Sequence, residues 1–266
     1  MDDTDFGTIS VIMAAYNASR TIRQAIVSVL EQTYQNLELL VVVDGFSDNT
    51  AEIVHTLAMQ DNRIKLIQNP RKRGVSYARK CALEKAAGNW VAILDSDDVW
   101  MPDKLEKQIN LQKTWKADLI FTGSAFMDAE GKRMRWELHI PKEIGYKKLL
   151  KQNLISNSSV LVKKDLYKKF YVENDNLHED FAVWLAITKT GIHAYGIDEP
   201  LLVYRVAKSS KSSNKLHAAK RSWNTYRYAG LNMLETCYYM FWYTVNGLLK
   251  YKNLKKILIT NKRMNT

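Results

Sequence analysis

The first hundred residues alternate short apolar runs with amphipathic stretches. The apolar runs are typical of strands buried on both faces, and they lie at Thr8 to Ala14, Leu37 to Val43, Ile64 to Gln68 and Trp90 to Leu94. The stretches between them repeat apolar residues at helical spacing, at Ala18 to Glu31, Thr50 to Gln60 and Val75 to Ala87. Strand alternating with helix predicts an α/β fold whose mostly parallel central sheet carries helices on both faces.

The next hundred residues alternate less regularly. Their pattern predicts a helix from Met101 to about Trp115, a strand Asp118 to Phe121, a turn Asp128 to Gly131, a helix Tyr146 to Lys151, a strand Ser159 to Val162 and a helix Phe181 to Lys189. We interpret residues 1–205 as one catalytic domain, with a nucleotide half at about 1–100 and an acceptor half at about 101–205.

The last sixty residues have a different character. From Leu231 to Leu249 they are apolar on average, but polar residues interrupt the run, so it is a poor candidate for a membrane span. Apolar residues recur there at helical spacing, at Leu231, Leu234, Tyr238, Trp242, Val245 and Leu249. This pattern predicts C-terminal amphipathic helices, either lying in a membrane interface or packed on the domain or a second copy.

The distribution of charge along the chain indicates what this tail binds. The 266 residues carry a net charge of +11, and 13 basic residues against one acidic residue fall from Arg205 onward, so the preceding residues are close to neutral. A neutral body with a basic, aromatic tail at 206–266 favours an anionic membrane surface as partner and disfavours nucleic acid. Only Cys81 and Cys237 are present and MDDTDFG lacks a signal-peptide layout, so we expect a cytoplasmic protein, peripheral on the inner face of the cell membrane.

Candidate chemistry is concentrated at the end of the fourth predicted strand. Asp95, Ser96, Asp97 and Asp98 follow it directly, at the sheet edge where open α/β folds bind ligands. Carboxylates crowded there suit Mg²⁺ or Mn²⁺ held together with substrate phosphates. The alternative is an ordinary acidic turn or helix cap. The sequence contains neither GxGxxG after the first strand nor GxxxxGK[ST], which disfavours dinucleotide and P-loop sites.

Four segments in this order resemble the family 2 glycosyltransferases. They are AAYNAS at 14–19, VDGFSDNT at 43–50, GVSYARKCALEKAAGNWVAILDSDD at 74–98 and HEDFAVWL at 178–185. The resemblance implies an inverting enzyme of GT-A fold. Within the family the chain looks closest to bacterial transferases that build capsular, teichuronic or O-antigen polysaccharides, including those of lipopolysaccharide.

The resemblance also implies a donor site. Ala15 and Tyr16 would line the nucleobase pocket, and Asp44 would accept a hydrogen bond from the base, although a cap or turn role for Asp44 stays open. Arg79 would contact the nucleotide or Asp95. In the DxD motif of Asp95, Ser96 and Asp97, Asp97 would ligate Mn²⁺ or Mg²⁺, with Asp95 on the ribose or a second metal contact and Asp98 a ligand or a supporting group.

On the acceptor side, Asp180 falls where these enzymes place the catalytic base. Glu179 would bind the acceptor, or act as base if the register shifts by one residue. Arg205 could bind acceptor phosphate or remain a solvated charge. The chain departs from the family pattern at Val43, often acidic, at Phe46, often small, and at Ala207, often histidine.

These observations favour an inverting, metal-dependent transferase that moves a sugar from a nucleotide-diphosphate sugar, with UDP favoured, to a lipid-linked oligosaccharide. Two alternatives remain at this point. A sugar nucleotidyltransferase would also use such a sheet, although it usually carries a glycine-rich basic loop after the first strand. A non-enzymatic module binding RNA or membrane through basic residues is the other.

Overall fold

The computed structural model describes residues 6–45, 47–206 and 215–247, with only the backbone given for Lys215. The strands are β1 (Ile9–Ala15), β2 (Leu37–Asp44), β3 (Ile64–Asn69), β4 (Trp90–Ile93), β5 (Val99–Trp100), β6 (Leu119–Met127), β7 (Arg133–Leu138), β8 (Glu143–Ile144), β9 (Leu161–Lys163) and β10 (Ala194–Arg205). The helices are α1 (Ile22–Leu30), α2 (Thr50–Ala58), α3 (Val75–Lys85), α4 (Lys104–Trp115), α5 (Tyr146–Lys151), α6 (Lys164–Phe170), α7 (Glu179–Lys189), α8 (Lys215–Tyr228) and α9 (residues 233–247).

One sheet runs through the whole body in the order β3-β2-β1-β4-β9-β6-β10-β5, with β7 paired to β6 and β8 to β10. The first four strands in this order are parallel, as the alternating pattern predicted, and every residue of β2 is buried. The β-branched and leucine side chains of these strands fill two cores, because helices cover both faces. The predicted α/β class is confirmed.

The second half of the sheet is mixed. Strand β9 runs antiparallel to both β4 and β6, whereas β10 runs parallel to β6. Residues Asn157–Ser159 form a 3₁₀ turn, so the strand predicted from Ser159 begins instead at Leu161. The two-residue strand β5 was not predicted, nor were α6 and β10, because their short or interrupted apolar patterns give little periodic signal.

Helices α8 and α9 pack against the catalytic body. Tyr226 of α8 is fully buried and donates a hydrogen bond of 2.7 Å from its hydroxyl to the carbonyl of Leu150. In α9, Tyr239 and Tyr243 pack against the core, and Tyr243 lies 6.2 Å from Phe181 of α7 between ring centroids. The tail is therefore docked along α7 over its described part.

Two residues of the predicted apolar repeat of α9 are exposed and do not pack on the body of the protein. Leu231 precedes the helix and is buried, whereas Leu234 is 83% exposed and Tyr238 50% exposed. Leu249 and the lysine-rich end lie outside the described residues, as do Phe46 and Ala207. Along the parts of the chain that the structure describes, none of the helices has the length and apolar character needed to span a bilayer.

Candidate active site

The candidate residues of the nucleotide half meet at one edge of the sheet. Strands β1, β2 and β4 are adjacent and parallel, so their carboxyl ends face the same side. Ala15 ends β1, Asp44 ends β2, and Asp95 follows β4 by two residues. The structure thus brings together residues that lie 80 positions apart, as the pattern of strands predicted.

Tyr16 lies at the open end of this edge. Its ring is 41% exposed, and the ammonium nitrogen of Lys72 lies 3.8 Å from the ring centroid. The neighbouring Arg73 stacks its guanidinium on Tyr77 at 3.5 Å. An aromatic face next to two cations can hold a flat base and an adjoining phosphate.

The carboxylate of Asp44 is 3% exposed and already holds the loop that leads into α3. Its Oδ1 accepts hydrogen bonds from the Asn69 amide at 2.9 Å and the Arg73 backbone N–H at 3.0 Å. Its Oδ2 accepts from the Arg73 N–H at 3.0 Å and the Gly74 N–H at 2.7 Å. A carboxylate offers about four acceptor positions, and here three protein N–H groups use them, with the Arg73 N–H shared between the two oxygens.

The acidic turn after β4 is anchored on both sides. The Asp95 N–H donates to the Ser158 hydroxyl at 3.1 Å, and β5 follows the turn at once. Arg205, 7% exposed, donates its backbone N–H to Asp98 Oδ1 at 2.9 Å and its Nε to the Asp97 carbonyl at 2.8 Å. The rest of its guanidinium binds the side chain of Gln24 and two backbone carbonyls. Arg205 therefore supports the turn in this structure.

Electrostatics within the turn favour a bound cation. Burial, together with the charge of Asp95, raises the pKa of Asp97 to about 6. Burial and the charge of Asp97 raise the pKa of Asp98 well above its usual range, and its buried Oδ2 has no hydrogen-bond partner among the described residues. Ser96 lies at the partly exposed tip of the turn.

The acidic residues do not form a preassembled metal cage. Within residues 6–45, 47–206 and 215–247, no group of three or more acidic, histidine or cysteine side chains is placed to hold an ion. The donor set fits a hard cation held by one or two carboxylates and completed by substrate phosphates, which is how Mg²⁺ is commonly bound.

Arg79 connects the donor edge to the acceptor side. Its guanidinium is 6% exposed and lies 2.5 Å from Asp95 Oδ1 and 2.5 Å from Glu179 Oε1. The predicted contact with Asp95 is present, and the contact with Glu179 is new. Buried between two carboxylates, Arg79 forms an ion pair with each, and these pairs offset the cost of burying its charge.

Asp180 lies in the first turn of α7, beside Glu179. Burial, reinforced by the charge of Glu179, raises the pKa of Asp180 to about 7. The two neighbouring carboxylates therefore have different environments. Glu179 is ion-paired with Arg79, while Asp180 can take up a proton near neutral pH.

Three neighbours of the site were missed from the sequence. Lys72 and Arg73 belong to the basic turn NPRKRG directly after a strand, and this position at the ligand-binding edge could have identified them. Asp175 places its carboxylate at the start of α3, where Oδ1 accepts from the Ser76 N–H at 3.3 Å. It is 99 residues from Ser76, so no local pattern could have indicated that contact.

Comparison with solved structures identifies the class of fold. TarS of S. aureus superposes with a TM-score of 0.67 at 16% identity, covering 89% of this chain and 70% of that one. The mannosyltransferase PcManGT from Pyrobaculum calidifontis, solved with GDP-Man and Mn²⁺, gives a TM-score of 0.67 at 19% identity over 86% of this chain and 65% of the other. The fold is that of the GT-A glycosyltransferases.

Sequence comparison gives the family. The model described as "Glycosyl transferase family 2" matches residues 10–168, and the chain belongs to this family of enzymes. It is 38% identical over 256 residues to the "UDP-Glc:alpha-D-GlcNAc-diphosphoundecaprenol beta-1,3-glucosyltransferase WfgD" of Escherichia coli, covering 93% of this chain and 98% of the relative. It is 36% identical over 219 residues to the "Putative teichuronic acid biosynthesis glycosyltransferase TuaG" of Bacillus subtilis, covering 82% and 87%.

Proposed function

We propose that this glycosyltransferase moves a sugar from a UDP-sugar to a hydroxyl of a lipid-linked glycan during synthesis of a bacterial surface polysaccharide. The observation that carries the proposal is the meeting of Asp44, the acidic turn and the Arg79–Glu179 pair at one sheet edge, directly before Asp180. The names of the WfgD and TuaG relatives support the donor and the acceptor class.

In the proposed donor complex, the uracil ring lies against Tyr16 and donates its ring N–H to Asp44. The diphosphate then extends along the edge of the sheet toward the acidic turn. Lys72 and Arg73 lie beside Tyr16 and Tyr77 and supply positive charge near the phosphates. A nucleoside diphosphate is thus bound by stacking at one end and by charge at the other.

The acidic turn would hold Mn²⁺ or Mg²⁺ through Asp97, with Asp95 or Asp98 as the second carboxylate. When bound, the ion stabilises the negative charge that grows on the departing diphosphate. Arg205 contributes by holding the Asp97 carbonyl and the Asp98 carboxylate in place.

Asp180 is the better candidate for the base, because the carboxylate of Glu179 is already engaged in an ion pair with Arg79. Asp180 takes the proton of the acceptor hydroxyl as that oxygen attacks the anomeric carbon from the face opposite the diphosphate. The bond from the anomeric carbon to the acceptor oxygen forms while the bond to the diphosphate oxygen breaks. A single displacement of this kind inverts the configuration of the anomeric carbon.

The outer face of α9 is the proposed membrane contact. Its exposed side chains include Met233, Leu234, Tyr238 and Phe241, which are 68%, 83%, 50% and 62% exposed. Large apolar groups repeating on the open face of a helix, near a strongly basic chain end, suit the interface of an anionic bilayer. This contact would place the enzyme where a lipid-linked acceptor is found, at the inner face of the cell membrane.

Thermal shift with UDP, GDP, dTDP and CMP sugars, each with and without Mn²⁺, tests the donor site. We expect stabilisation by the UDP class, with the larger shift in Mn²⁺. Asp97→Ala should remove the metal-dependent part of the shift. Asp118→Ala is the matched control, since Asp118 is exposed and pairs loosely with Lys163 at 3.9 Å. Undiminished metal-dependent binding in Asp97→Ala would overturn the metal assignment.

A further inference from the structure

The segment that precedes the predicted base, Asp180, has no regular secondary structure, and several of its side chains contact α3. We define the base loop as residues 171–178, which join α6 to α7. The Tyr171 hydroxyl donates to the Ser76 carbonyl, and Glu173 pairs with Lys80 at 2.7 Å. On its other side, the His178 N–H donates to the Thr225 hydroxyl of α8 at 3.0 Å.

Asp175 packs against the N-terminal end of α3. It lies against Gly74, whose φ of +105° only glycine adopts readily. A Cβ atom on Gly74 would lie 1.7 Å from Asp175 Oδ2, so a side chain there would require the Asp175 carboxylate to move. Oδ1 of the same carboxylate accepts the Ser76 N–H.

Two carboxylates therefore share the first turn of α3. Asp44, from the donor edge, accepts the N–H groups of Arg73 and Gly74, and Asp175, from the base loop, accepts that of Ser76. The free N–H groups at a helix start favour anionic partners. A movement of this turn would therefore change the hydrogen bonds of both carboxylates.

We propose that Asp175 is a positioning residue that couples nucleobase binding at Asp44 to the conformation of the base loop. The inference rests on the proposed function, in which a base N–H binds Asp44. Because three protein N–H groups already surround the 3% exposed carboxylate of Asp44, an incoming N–H draws an oxygen away from the Arg73 N–H that both oxygens share, or from that of Gly74. The start of α3 shifts, Asp175 follows, and the loop ahead of Asp180 adjusts once the donor is in place.

A second route joins the same two regions, through the Arg79 bridge from Asp95 to Glu179. Metal and diphosphate act on that bridge, whereas a nucleoside alone reaches only the base pocket. Uridine at millimolar concentration therefore tests the Asp175 route by itself, and UDP with Mn²⁺ tests both routes together.

Hydrogen–deuterium exchange on the full chain provides the measurement. In the wild type we expect uridine, and UDP with Mn²⁺, to change exchange in residues 73–76 and in the base loop. Asp175→Ala should keep the change at 73–76 and lose the uridine response of the loop. Glu173→Gln is the matched control, since it breaks an exposed pair on the same loop and should respond as the wild type. Asp175→Leu keeps the volume beside Gly74 but accepts no hydrogen bond, and it serves if the alanine variant unfolds.

Each outcome decides the proposal. A loop response to uridine that survives in both Asp175 variants, or appears only with UDP and Mn²⁺, overturns the coupling through Asp175. UDP that stabilises the wild type without changing loop exchange also overturns it and leaves the proposed function standing. Failure of UDP to bind at all removes the proposed function and this inference with it.

Turnover adds a readout that a merely structural role would not move. With UDP-glucose and a GlcNAc-diphospholipid acceptor, Asp175→Leu should lower kcat by about 10- to 100-fold through misplacement of the base. The donor KM should change by less than about threefold, because the substitution leaves every contact of Asp44 intact. A rise in donor KM with unchanged kcat would contradict the assignment.

Discussion

Replacing Asp180 by asparagine separates the stability of the site from its chemistry. The carboxyl of Asp180 has a pKa of about 7 against an ordinary value of 3.8, mainly because of burial. A carboxyl with a raised pKa opposes folding once the pH exceeds the unfolded value, and the cost stops growing above the folded value. At pH 8 the wild type should therefore carry the full cost, whereas a neutral asparagine should carry none.

The magnitude follows from the shift. About three pKa units correspond to ~4 kcal/mol of unfolding free energy, an upper limit because Asp180 is partly exposed and its charge interacts with that of Glu179. We expect Asp180→Asn to be more stable than the wild type by about 2 kcal/mol at pH 8 and by under ~1 kcal/mol at pH 4.5. Urea denaturation at both pH values measures the two differences.

The same substitution should reduce kcat by about 10²- to 10⁴-fold, the usual worth of a general base. In the wild type, activity should rise with pH through about 7 as Asp180 loses its proton. Glu179→Gln is the comparison, because it should destabilise the protein by leaving Arg79 with one partner. A stability gain equal at the two pH values, or a stable variant with normal turnover, would refute the reasoning.

Three further predictions concern single side chains. Burial holds the pKa of the Lys104 ammonium well below its usual range. Lys104→Met should therefore gain more stability at pH 6 than at pH 9 in urea denaturation, and an equal gain at the two pH values would contradict this. Gly74→Ala should cost about 1–3 kcal/mol and more than Gly191→Ala, because both positions have a positive φ but the substitution at Gly74 also pushes the Asp175 carboxylate aside. Similar melting temperatures for the two variants would refute this. Phe241→Glu should lower flotation with anionic liposomes, whereas Met59→Glu, at a similarly exposed position just after α2, should float as the wild type does.

The sequence predicted the parallel half of the fold well, because its strands are buried on both faces and read as continuous apolar runs. The helix at Tyr146–Lys151 was also located correctly. The mixed half was predicted less well. Strand β10 is interrupted by a register shift between Ile197 and Leu202, and β5 has two residues, so neither gives a period to detect.

The site residues could be predicted where they lie in one sequence motif, but not where the fold brings distant segments together. Asp95 and Asp97 follow a strand directly, and Arg79 could be placed near them because its helix begins at the same edge. The ion pair from Arg79 to Glu179 joins residues 100 positions apart, and only the fold creates it. The same is true of Arg205, whose hydrogen bonds reach Gln24 and the acidic turn.

The docking of α8 on the base loop sets an order of events during synthesis. The end of the loop is hydrogen-bonded to Thr225 of α8, and α7 behind it packs on the fully buried Tyr226; both residues are made after the ten strands. A nascent chain that has already formed its donor edge still lacks the support for the segment ahead of Asp180 until these residues leave the ribosome. A newly made molecule can thus form the carboxyl-end edge of β1, β2 and β4 before the segment ahead of Asp180 is held in place.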